Sequence, residues 1–77
     1  MNLTPQEQIV LSYLLVGLSD KEIGQKMKIK YPTVRTYVDR CIIKLNARNR
    51  THAAFKYLVM LSPELYLQTL KELQEVL

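Results

Sequence analysis

Two helix-start signals stand close together near the front of this chain, and they leave room for only short helices. Thr4-Pro5-Gln6-Glu7 and Ser19-Asp20-Lys21-Glu22 each place a hydroxyl residue three positions before a glutamate. In that arrangement each side chain satisfies the other residue's backbone N–H. Pro5 at the first helical position strengthens the first signal, because its missing donor is one the helix end could not have used. Ile9, Val10, Leu11, Leu14 and Leu15 then recur with a helical period, and Gly17 supplies a stop. The second helix opens at Ser19-Asp20 and runs to about Met27, with Ile23 and Met27 on its inner face. A few residues later a third begins at about Tyr31 or Pro32 and extends to Leu45. Val34, Val38, Cys41 and Leu45 share one side of it, with Ile42 at the edge, while Arg35, Thr36, Asp39, Arg40 and Ile43 point the other way. Asn46 to Asn49 form a loop, a fourth helix spans about Arg50 to Met60, and Ser62-Pro63-Glu64 starts a fifth. On the fifth, Tyr66, Leu70, Leu73 and Leu77 fall on one face.

The expected fold is therefore all-α: a compact four-helix domain over residues 1–61, followed by an amphipathic C-terminal helix over 62–77. Seventy-seven residues, 48% of them hydrophobic, suffice for one small core. Two glycines and no strand-like alternation argue against a sheet. Chemistry is narrowly bounded as well. A single cysteine, Cys41, and a single histidine, His52, supply neither a disulfide framework nor a metal cluster. With no nucleophile–base pair and no glycine-rich phosphate loop, the expectation is a protein that is not an enzyme and uses no cofactor. No stretch has the length of a membrane span and no signal-peptide pattern leads the chain, so a cytoplasmic location is expected.

The net charge of +4 is unevenly spread. Lys21, Lys26, Lys28, Lys30, Arg35, Arg40, Lys44, Arg48 and Arg50 face only Asp20, Glu22 and Asp39 across the middle of the chain, whereas the segment from Leu61 onward is acidic by two. A polyanion-binding surface would have this footprint. Charge alone leaves a merely solvated helical face equally open. Two helices joined by a short turn, the second amphipathic with a basic outer side, also match the helix-turn-helix geometry that fits a major groove.

Five short motifs sharpen that reading. Leu3 to Glu7, Gly17 to Ile23, Thr33-Val34, Lys44-Leu45 and Asn49 to Thr51 keep the order and spacing of the LuxR-type (GerE-like) helix-turn-helix domain, without a gap, and the chain resembles that family over roughly its first 55 residues. The resemblance implies a bacterial transcription regulator whose third helix, about 32–45, reads duplex DNA in the major groove. By position it places Arg35 and Thr36 at base edges, with Asp39 one turn on, and Arg40 belongs to the same outward face. An arginine fork suits guanine O6 and N7. Lys21 matches a backbone-contacting lysine, Tyr37 replaces a frequent histidine, and Thr33, Lys44, Arg48 and Arg50 are further phosphate candidates. The family's fourth helix often mediates dimerisation. A homodimer is accordingly expected through Ala54, Phe55, Leu58 and Leu61, with help from Tyr66 and Leu70 of the fifth helix. That helix is too short to stand alone, and packing back on its own domain is the alternative.

Departures from the family pattern mark where function could differ. Lys30 stands in place of a serine-like cap, Pro32 lies in the first turn of the third helix, and Gly24 replaces a small alanine. Asp39 is acidic where polar or basic residues are common, able to accept from a cytosine amino group or to repel phosphate. Ile43 is apolar where the family commonly has a charge; a lone exposed apolar residue is ordinary, and the alternative beside a basic face is contact with a thymine methyl or a partner. A rival reading follows from Asp39, Ile43 and the tail: a protein-interaction module that binds another transcription regulator and has little DNA affinity. Contact with RNA polymerase is a further expectation for a regulator of either kind.

Overall fold

The computed structural model describes residues 2–76, with the side chains of residues 65, 66 and 76 outside the description. Five helices follow one another: α1 (Pro5–Leu15), α2 (Asp20–Met27), α3 (Tyr31–Lys44), α4 (Arg50–Leu61) and α5 (Pro63–Val76). The first two begin as their sequences dictate. Thr4 accepts from the Glu7 amide at 3.2 Å while Glu7 accepts from the Thr4 amide at 2.8 Å, and Ser19 and Glu22 make the same exchange at 3.2 and 3.0 Å. Gly17 ends α1 in the left-handed region at φ 87°.

α1 and α3 form the spine of the core, with α2 packed on one side and α4 on the other. Leu11, Cys41, Leu45, Ala53 and Tyr57 make one buried cluster; Val10, Ile23, Val34 and Val38 make a second, and Leu14 and Ile42 bridge the two. The α3 stripe expected from its spacing is the buried one. Ile9, expected on the inner stripe of α1, is instead 45% exposed. The period placed it one position beyond the arc that α3 and α4 cover.

Glu7 is the departure with the largest energetic weight. A capping glutamate belongs at the surface, yet this one is 1% exposed, and its Oε1 also accepts from Lys44 Nζ at 2.8 Å. Burial pushes the carboxyl pKa up, but the Lys44 ammonium and the Thr4 amide outweigh it and hold the group below its ordinary range. Lys44 Nζ donates in addition to the Asn2 carbonyl at 3.1 Å, so the C-terminal end of α3 is tied to the start of α1. Cys41 lies beside this pair, its thiol donating to the Glu7 carbonyl at 3.7 Å. Burial, followed by the Glu7 charge, raises its pKa to about 11, so it stays a protonated core thiol.

The turn between α2 and α3 explains Gly24. A Cβ there would meet the Ile29 carbonyl oxygen at 2.8 Å, and the Ile29 amide donates to the Gly24 carbonyl at 3.0 Å. Any side chain would push the turn away from α2. Glycine here therefore closes the helix-turn-helix angle, a gain that outweighs its poor helix propensity.

Candidate nucleic-acid interface

Apolar packing fixes which side of α3 faces out. Val34, Val38 and Cys41 are buried, while Arg35, Thr36, Asp39 and Arg40 are exposed on the opposite side. Pro32, Thr33, Thr36, Tyr37 and Arg40 line one shallow concavity of about 360 Å³. Four of the expected site residues thus converge within two turns of helix. Thr36 Oγ1 donates to the Pro32 carbonyl at 3.2 Å, which leaves its lone pairs as acceptors toward an incoming base amino group. Tyr37 is half-buried with its ring against the core.

The start of α3 lacks a side-chain cap, since Lys30 makes none. Little is lost by this. Pro32 has no N–H, and the Thr33 and Val34 amides both donate to the Lys30 carbonyl, at 3.0 and 3.3 Å. The Thr33 and Val34 amides are thus satisfied by the helix's own backbone, and the lysine side chain remains exposed.

Lys21 and Arg48 are exposed, and neither forms an ion pair among the described residues. Two expected phosphate ligands are engaged elsewhere. Lys44 is neutralised by Glu7, and its place is structural. Arg50 grips Asp20 with both arms of its guanidinium, Nη1 to Oδ1 at 2.5 Å and Nη2 to Oδ2 at 3.2 Å. That fork has an electrostatic consequence at the first turn of α2. The Asp20 carboxylate would repel an anion approaching Lys21 and the free amides there, and Arg50 cancels it. Asp39 adds a weaker attraction on Arg50.

Two side chains matter more than their sequence context suggested. His52 accepts from the Arg48 amide through Nδ1 at 3.0 Å, while Asn49 accepts from the His52 amide at 2.9 Å. Together they cap α4 and hold the loop that carries Arg48. Lys56 donates to the Leu45 and Asn46 carbonyls at 2.9 and 3.0 Å, closing the last turn of α3 with a cation, where the helix dipole favours one. The asparagine three residues before His52 was a readable cap signal, but the partner of Lys56 was not.

The expected interface residues on α4 and α5 are divided. Ala54 is buried at 8% and Leu58 is half-buried, whereas Phe55, Leu61 and Leu70 are exposed at 40%, 60% and 39%. Ala54, Phe55 and Leu58 line an open groove of about 390 Å³ together with Leu14, Leu15 and Leu18 of the α1 end. α5 makes its contacts within the domain chiefly with the adjoining α4 and leaves Leu67, Leu70 and Leu73 in solvent. Tyr66's side chain and Leu77, also expected on that stripe, lie outside the described residues. No helix among the described residues is long and apolar enough to cross a membrane.

This arrangement has close counterparts. The GerE family of bacterial regulatory proteins, the luxR family, matches residues 1–57. DevR/DosR of Mycobacterium tuberculosis, a DNA-binding transcriptional activator, is 42% identical over 52 residues, which are 68% of this chain and 24% of that protein. LnrK of Bacillus subtilis, a transcriptional regulatory protein, is 44% identical over 54 residues, 70% of this chain and 24% of that protein. The solved structure of the transcription factor GerE matches with a TM-score of 0.72 at 31% identity, covering 75% of this chain and 87% of that one. The chain spans about a quarter of the length of these curated relatives, and the family match ends before α5 begins.

Proposed function

The chain belongs to the luxR family of bacterial regulatory proteins, and on that premise we propose that it regulates transcription by binding duplex DNA sequence-specifically through α3. The observation that carries this reading is the division of α3 into a buried apolar stripe and an exposed face of Arg35, Thr36, Asp39 and Arg40. A helix so divided cannot rotate to hide its polar side, and it is the width a major groove admits. Arg35 reads guanine, Thr36 and Asp39 accept from base amino groups, and Arg40 completes the base-reading set. Lys21, Thr33, Tyr37 and Arg48 hold the phosphates, with Arg50 neutralising Asp20 beside them.

Residues 1–61 are the DNA-binding unit and 62–77 an appended helix. The functional species is a homodimer: Phe55, Leu61, Leu67, Leu70 and Leu73 are large apolar side chains left exposed along adjoining helices, a pattern that marks protein contact. A two-fold pair would place two α3 helices on half-sites about one helical turn apart. The role is binding without catalysis, exercised in the cytoplasm, with RNA polymerase as the further partner that turns operator occupancy into an effect on transcription. The same exposed tail favours a second reading, in which its partner is another transcription regulator.

Selection of duplexes from a random pool by the purified chain tests this directly. The expected product is a short motif repeated with dyad symmetry. A pool that stays random through successive rounds, while the chain captures another regulator in solution, would establish the second reading instead.

A further inference from the structure

Ile43 is 77% exposed, more than any other large hydrophobic side chain among the described residues. Its position on the helix is more informative than its exposure. At about 100° per residue, the buried stripe of α3 centres on one line and Ile43 projects roughly 170° from it. Arg35 and Asp39 flank that direction on one side, Thr36 and Arg40 on the other. A surface that receives the outer face of α3 along its whole length therefore meets Ile43 near its midline, about two turns beyond Arg35.

The end of the helix that carries it is also held firmly. Lys44 is bonded to Glu7 and Asn2, and Lys56 closes the carbonyls of Leu45 and Asn46. Ile43 is thus presented on a fixed turn rather than a fraying one. A branched alkyl group held there has no hydrogen bond to offer a base edge. In the major groove the one apolar feature of the four bases is the C5-methyl of thymine.

We propose that Ile43 is a specificity-determining residue that recognises a thymine methyl within the operator half-site. The inference rests on the DNA-binding role proposed above. It adds an apolar contact to a reading face otherwise made of hydrogen-bonding groups, and it assigns a thymine beyond the base pairs read by Arg35 and Thr36.

Replacing thymines of the selected operator one at a time by deoxyuridine tests it, because uracil keeps the pairing and O4 acceptor and loses only the methyl. At one position per half-site the wild-type chain should bind the uracil duplex roughly three- to tenfold more weakly, the scale expected for one buried methyl contact. Ile43→Ala should lose that discrimination while keeping its helical content and its affinity for random duplex, and Ile43→Val should retain part of it. If the wild-type chain binds a selected operator but ignores every thymine-to-uracil change, or if Ile43→Ala discriminates as wild type does, Ile43 does not read a methyl. If no duplex is bound at all, the DNA-binding role itself falls, and this contact with it.

Discussion

Lys44→Met is expected to cost the domain about 2–4 kcal/mol at neutral pH. Removing one partner of a buried pair strands the other charge, which typically costs 3–5 kcal/mol, and the one-third exposure of Lys44 admits enough solvent to trim that figure. For a domain of this size the loss is a large part of the total stability. The methionine fills the lysine stem's volume, so the effect reports charge rather than packing. Glu7→Gln should cost less, because the amide oxygen still accepts from Thr4 and the ammonium can turn toward water. In the double variant most of the Lys44→Met loss should disappear.

The pH dependence separates the cases further. In the wild type the folded Glu7 pKa lies below the unfolded value of 4.5. Its stabilisation is therefore complete above that value and is lost as pH falls through the folded pKa. In Lys44→Met the main opposing charge is gone and burial dominates. The Glu7 pKa then rises, and the variant loses stability relative to wild type as pH climbs from about 4 toward 7. Urea unfolding midpoints across this range check both signs. Equal midpoints for Lys44→Met and wild type at pH 7 would mean that the pair carries no weight.

That pair also shows where sequence ceases to inform. The capping box at Thr4–Glu7 was legible because its partners are three residues apart, and the α3 stripe because Val34, Val38, Cys41 and Leu45 share a period. The starts of α1 and α2 follow from such local signals. Lys44 and Glu7 are 37 positions apart, as remote as the Arg50–Asp20 fork is at 30. Each lysine or arginine in the basic middle looks alike in sequence, and only the fold separates those spent on internal carboxylates and carbonyls from those left facing out. The family resemblance supplied the outer face of α3 but ended before α5. Gly24 stands out in sequence only as a replacement for a small alanine; its close approach to Ile29 becomes visible only when the turn is closed.

Affinity for DNA should fall by about a hundredfold between 50 and 200 mM salt. Lys21 and Arg48 carry no ion pair among the described residues, and a dimer doubles them to four phosphate-facing cations. Counterion release then gives a slope near −4 in log affinity against log salt. Lys44 and Arg50 add little to it, since their charges are matched within the protein. Lys21→Ala should flatten the slope by about two in the dimer, with equal loss on operator and random duplex, because a phosphate contact carries no sequence information. A slope shallower than about −2 for the wild type would mean that the basic middle of the chain is not the DNA surface.

The division of α3 into a packed and a reading face is tested most directly at Arg35, by titrating wild type and Arg35→Ala against the selected operator and a scrambled duplex at one salt concentration. Operator binding should weaken by roughly 1–3 kcal/mol per half-site, with discrimination relaxed at a single base pair of each and binding to the scrambled duplex much less affected. Identical affinities for both proteins on both duplexes would place the DNA on some other surface.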